Sequence, residues 1–158
     1  MKEYKAVMEV DHSIEEVSHV IQDIDTFEEW FVDIDKIEMA GDHPDGGIAV
    51  YMVIDTPFPV QDRDLVIVMV EEEANDDLIR ISTRAEPDFV DKDDDYVRMP
   101  SSEGYWILEA LDSSKTRVVN TNLSDPGGSI PKWVINMMLT SNPYNTFTNL
   151  RDYLAERN

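Results

Sequence analysis

The sequence predicts an α+β fold: a curved, seven-stranded antiparallel sheet wrapped around a long C-terminal helix, with two short helices after the first strand. Three observations predict it. The chain opens strand, helix, helix; six further strands follow with only turns or loops between them; and the C-terminal segment carries one apolar helical stripe.

In the first strand Tyr4, Ala6, Met8 and Val10 alternate with Lys5 and Glu9, the period of a half-buried strand. Ser13-Ile14-Glu15-Glu16 fits a capping box, and Ile14, Val17, Val20, Ile21 and Ile24 line one face of the helix it starts. Thr26-Phe27-Glu28-Glu29 repeats the cap and starts a short helix through Trp30 and Phe31. Strands are expected near Ile34–Ala40, Ile48–Asp55, Leu65–Glu72, Leu78–Ala85, Gly104–Leu111 and Thr116–Leu123. His43-Pro44-Asp45-Gly46-Gly47, Asn75-Asp76-Asp77 and Asp112-Ser113-Ser114 supply turn chemistry between them. The connection from Glu86 to Glu103 differs, being long and acidic, with few apolar residues to anchor it. After the Asp125-Pro126-Gly127-Gly128 turn, Ser129 is the expected N-cap of the last helix, with Pro131 in its first turn. Its stripe is Ile130, Trp133, Val134, Met137, Met138, Tyr144, Phe147, Leu150 and Leu154. Pro143, inside that pattern, is expected to kink the helix or break it in two.

A length of 158 residues favours one domain over residues 1–158, and 42% hydrophobic residues supply a core despite a net charge of −21. That charge excludes a bare electrostatic nucleic-acid binder, since nothing here neutralises a row of phosphates. Lys and Arg are scattered singly, so at most transient contact with a membrane is expected. The absence of Cys excludes a disulfide framework, a thiolate nucleophile and a Cys-based zinc site. Met1-Lys2-Glu3-Tyr4-Lys5-Ala6-Val7 lacks the apolar run of a signal peptide, and no later stretch is suited to spanning a bilayer. A cytoplasmic monomer is the expectation. The acidity fits either a salt-rich cytoplasm, where screening removes self-repulsion, or an ordinary bacterial protein that is acidic.

Catalytic and metal chemistry finds little support. His12, His19 and His43 fall at a strand–helix turn, on a helix face and in a Pro-Gly turn, none within a motif that pairs it with a nucleophile. Asp91-x-Asp93-x-Asp95 has the start of a calcium loop, but Tyr96 stands where the Gly belongs and Ser102 where the bidentate Glu belongs. Neither a metal nor a cofactor is expected.

Pro57-Phe58-Pro59-Val60-Gln61-Asp62-Arg63-Asp64-Leu65-Val66 resembles the P-x-P-x-x-D-R-D-[FL]-V segment of START-type lipid-transfer domains. Tyr96-Val97-Arg98 followed by Gly104 resembles that family's approach to its penultimate strand. Asp125 to Asn136 resembles the D-x-x-G-x-[IL]-P-x-W-x-[IV]-N start of its C-terminal helix. The resemblance covers nearly the whole chain. It implies a helix-grip fold, with a tunnel between sheet and helix for one hydrophobic molecule or lipid. Where sterol carriers of the family have a second buried arginine, six residues after the first, this chain has Met69, which weighs against sterol specificity and favours a more apolar pocket.

Strand parity places the candidate site. Arg63, Leu65, Ile67 and Met69 share one face of a strand, with Asp62 and Asp64 on the other. If Arg117 and Glu109 face water, then Val118, Asn120, Asn122, Trp106 and Leu108 face inward. Joined to the helix stripe, this gives a cavity touched by Met52, Arg63, Leu65, Ile67, Met69, Trp106, Leu108, Asn120, Trp133, Met137 and Tyr144. Arg63 would either bind a ligand carboxylate, phosphate or hydroxyl, or pair with a carboxylate and fix a loop. Asn120 and Asn122 need partners, from the backbone or from water or a polar ligand group. The leading expectation is a non-catalytic carrier or sensor. The runner-up is a polyketide cyclase or aromatase, in which Arg63, Asn120 and Tyr51 would orient an enolate and a carbonyl. The Glu86–Glu103 loop and the first half of the last helix are expected to part together as a gate.

Overall fold

A computed structural model describes residues 2–157. Strand β1 (Lys2–Val10) leads to α1 (Ile14–Gln22), a 3-10 turn at Ile24–Thr26 and α2 (Phe27–Trp30). Then come β2 (Ile34–Asp42), β3 (Ile48–Ile54), β4 (Arg63–Ala74), β5 (Leu78–Ala85), the two-residue β6 (Val97–Arg98), β7 (Ser101–Asp112) and β8 (Lys115–Asp125). The chain closes with α3 (Lys132–Leu139) and α4 (Ser141–Glu156). Seven antiparallel strands lie in the order β1-β8-β7-β5-β4-β3-β2, and β6 adds a short parallel pairing beside the start of β4. Register shifts in the β2–β3, β4–β5 and β7–β8 pairs mark irregularities of the kind that bend a sheet.

The helices fill the hollow of this sheet. Ser13 caps α1 by accepting from the Glu16 amide, as the capping box predicts, and Ile14, Val17, Val20 and Ile21 are buried. Thr26 does not cap α2. Its hydroxyl lies 2.8 Å from the Asp23 carbonyl and accepts from Trp30 Nε1, so the tertiary position of Trp30 has taken the side chain a cap would use. Trp30 meets Trp106 edge-on at 5.9 Å, and Trp106 stacks on Phe147 at the same spacing. Phe147, Leu150 and Leu154 bury the stripe of α4.

The C-terminal helix is broken in two, but at Thr140 rather than at Pro143. Continuing the helix through Leu139 would set the Pro143 ring against the Leu139 carbonyl; breaking it at Thr140 leaves Pro143 in the first turn of α4, where its missing N–H has no intrahelical partner to lose. The start of α3 also differs from expectation. Pro131, not Ser129, is the N-cap, and no side chain caps the helix.

The Glu86–Glu103 connection is anchored on the outer face of the sheet. Phe89 and Val90 pack with Ala40, Tyr51 and Val70 around buried Ala49, Val66 and Val68. Arg98 reaches beneath them, donating from Nε to Asp64 Oδ1 at 2.8 Å and from Nη2 to Asp64 Oδ2 at 3.0 Å. It also donates to the carbonyls of Pro87, Val90 and Asp91. This second covering explains why β4 runs apolar from Leu65 to Val70 on both faces instead of alternating. The expectation of a loosely held loop was wrong because one arginine and two apolar side chains suffice to fasten it.

Candidate functional site

Packing is uneven along the sheet. α1 lies on β5, β7 and β8, and α4 on β1 and α2, where Leu108 and Val118 are fully buried. Towards the β3–β4 end, α3 and the start of α4 close over a cavity of about 190 Å³ with a mostly apolar wall. Met52 on β3, Leu65, Ile67 and Met69 on β4 and Trp106 on β7 form its sheet side, and Val134, Met137 and Met138 its helix side. This volume exceeds the roughly 150 Å³ of an apolar cavity that holds a benzene molecule.

Of the residues expected from sequence, Met52, Arg63, Leu65, Ile67, Met69, Trp106, Asn120 and Met137 line this cavity. Three do not. Leu108 has the right parity but sits farther along β7, in the solid core. Trp133 and Tyr144 are 54% and 72% exposed. The break at Thr140 divides the single stripe into two faces of different phase: α3 turns Val134, Met137 and Met138 inward, and α4 turns Pro143, Phe147 and Leu150 inward. Trp133 and Tyr144 each fall one position, about 100°, off those faces. Sequence reasoning missed Phe31, Ile34, Ile54 and Met99 in the wall. Ile54 shares parity with Met52 and was findable; Met99 arrives from the long connection and gave no periodic signal.

The polar groups cluster at few points. Arg63 is only 3% exposed, and Nε, Nη1 and Nη2 donate to the carbonyls of Pro126, Gln61 and Gly127. It therefore ties the first residue of β4 to the turn that precedes α3. Gly127 and Gly128 hold left-handed φ of 75° and 66°, and a Cβ on Gly128 would lie 3.0 Å from Arg63 Nη2. Burial pushes the Arg63 pKa below its ordinary value, with the nearby Asp62 charge acting the other way. Asn120 accepts from Tyr4 Oη at 2.7 Å and donates to the Tyr105 carbonyl, and Asn122 donates to Ser102 Oγ. The amides are thus partnered within the protein. Burial pushes the Tyr4 hydroxyl up to about 12.

Asp33 and Asp55 stand on the rim, where the Asp55 amide donates to the Asp33 carbonyl. Burial and the Asp55 charge raise the Asp33 pKa, against a hydrogen bond from Asn142. Burial and the charges of Asp62 and Asp35 raise that of Asp55. Tyr51 is not at the cavity. Its hydroxyl donates to Asp64 Oδ2 at 2.8 Å on the outer face, so the Arg63, Asn120 and Tyr51 constellation of the cyclase reading is not assembled. Among the described residues there is no cluster suited to a metal ion, and no helix is long and apolar enough to cross a membrane.

The family model for the START domain matches residues 1–156. An uncharacterised protein of Pseudomonas aeruginosa is 33% identical over 107 residues, covering 68% of this chain but only 53% of that protein's length. A STAR-related lipid transfer protein of Xanthomonas axonopodis, 29% identical, superposes with a TM-score of 0.84 over 97% of this chain and 85% of its own. Human STARD10 reaches 0.85 at 18% identity, over 98% of this chain and 63% of its own. The Zhui aromatase/cyclase of a Streptomyces species reaches 0.73 at 14% identity, over 99% and 94%. The last two show the fold alone. On the match to its family model and the helix-grip architecture, this chain belongs to the START domain family.

Proposed function

We propose that this chain is a single ligand-binding domain that carries or senses a hydrophobic small molecule, a lipid in the broad sense, between its sheet and α3–α4. The observation that carries the reading is the apolar cavity. Protein interiors pack to crystal density with few voids larger than a water. At about 24 cal/mol per Å³, an empty 190 Å³ cavity forgoes on the order of 4–5 kcal/mol of packing, which a bound apolar molecule restores. The lipid-transfer name of the Xanthomonas neighbour agrees with it. A single acyl chain or a small polycycle suits this volume better than a two-chain lipid. The protein acts as a cytoplasmic monomer in this reading, touching membranes only transiently, and Phe58, 94% exposed beside the rim residue Pro57, is its apolar point of contact. Native mass spectrometry of the purified protein tests it: a retained apolar molecule of single-chain size is the expected result, and failure to retain or take up any apolar molecule would overturn it.

Access falls to α3. It lacks a side-chain N-cap, fully buries only Val134, and follows two glycines. The long connection, pinned by Arg98, stays in place. Hydrogen exchange is therefore expected to be faster in α3 than in α4 or in residues 97–99, and to slow in α3 when ligand is present. Equal protection of α3 and α4 would place the opening elsewhere.

A further inference from the structure

Two buried arginines sit close to the start of β4, and they are treated differently. Arg98 is neutralised by a bidentate pair with Asp64. Arg63 makes no ion pair among the described residues. Its partners are three carbonyl oxygens, which satisfy hydrogen bonds but bring no counter-ion into contact with the positive charge. Asp62, adjacent in sequence, accepts from the Thr56 amide at the rim and acts on Arg63 through its charge without forming an ion pair with it. A guanidinium has five N–H donors, and three bonds to carbonyls leave one N–H on each Nη available in a side chain that lines the cavity. Retaining a buried charge with no ion-pair partner beside an apolar void is costly, and an anion in the void would complete it.

We propose that the ligand is an amphipathic monoanion, a single apolar chain or ring system ending in a carboxylate, whose oxygens accept from the two remaining Arg63 N–H groups while its body fills the space between Ile67, Met69, Val134 and Met137. This rests on the reading of the cavity as a ligand site and adds the headgroup. The fixed carbonyl contacts hold the guanidinium in place before the ligand arrives, so little is lost in ordering it. They also link occupancy to closure, since the same side chain holds the Pro126–Gly127 turn that leads into α3. Neutral analogues bury the same chain but leave the charge as it was.

The test compares decanoic acid, its methyl ester and decan-1-ol on the intact protein at neutral pH, by calorimetry and by the Arg63 Nε–H resonance. Expected is binding of the acid about 10- to 100-fold tighter than of either neutral probe, the range for a hydrogen bond to a charged group. The Arg63 resonance should move with the acid alone. In Arg63→Gln the acid should lose that advantage while the alcohol keeps its affinity; if this variant does not fold, the comparison in the unaltered protein still decides. Equal binding of all three probes, with an unmoved Arg63 resonance, would overturn the anionic headgroup and leave the cavity reading intact. Binding of none would overturn both.

Discussion

Replacing Arg98 with leucine is expected to cost about 3–5 kcal/mol of stability, the range for breaking a buried ion pair from one side. The variant leaves the Asp64 carboxylate buried with the Tyr51 hydroxyl and its own backbone amide as its remaining hydrogen-bond partners. It also frees the carbonyls of Pro87, Val90 and Asp91, so the covering over Val66 and Val68 loosens with it. The pH dependence has a definite sign. Burial pushes Asp64 upward, but the hydrogen bonds from Arg98 and Tyr51 outweigh it and hold its carboxyl below the ordinary value. The stability gained is therefore complete above the unfolded-state value near 3.9 and is lost as pH falls through the lower folded value. Urea unfolding at pH 7 and at successively lower pH should show the two proteins far apart at neutrality and converging below about pH 4. A gap that persists unchanged into acid would show that lost packing, not the ion pair, accounts for the difference.

Replacing Ile67 with tryptophan is expected to remove binding of an apolar probe such as diphenylhexatriene by at least about tenfold, as the larger ring occupies the site. Ile67 lies in the middle of the sheet wall, where the added volume has a void to enter. The cost to stability should stay at the lower end of the roughly 1–3 kcal/mol typical of overpacked cores. Tyr144→Ala is the contrast. That side chain is exposed, so both stability and binding should stay within about 0.5 kcal/mol of the unaltered protein. Fluorescence titration and urea unfolding of both variants check this pair. Full retention of probe in Ile67→Trp would mean that the ligand lies elsewhere.

Much of this fold is legible in the sequence because period-two and period-3.6 patterns are local. β3 and β5 begin as their alternation and turn residues require, and parity alone turns Leu65, Ile67, Met69, Trp106 and Asn120 inward. What escaped was set by long-range partners. The covering of the outer sheet face depends on Arg98 meeting Asp64 across 34 positions, and no window along the chain reports such a pairing. Trp133 and Tyr144 were misplaced because one helical phase was carried through a break whose position, at Thr140, is fixed by the proline that follows it. The sequence marked Arg63 as decisive, but its three carbonyl partners lie in turns whose conformation, not composition, brings them within reach.

A hydrophobic molecule in the space between the sheet and α3 would lie within reach of several methionine methyls. Methionine methyl labelling addresses this placement directly, because Met52, Met69, Met99, Met137 and Met138 line the cavity while Met39 is exposed on β2. With decanoic acid bound, magnetisation transfer from ligand methylenes should reach the methyls of Met52, Met69 and Met137 and leave Met39 silent. Transfer to Met39 alone, or to none of Met52, Met69, Met99, Met137 and Met138 in a protein shown to bind the acid, would contradict this.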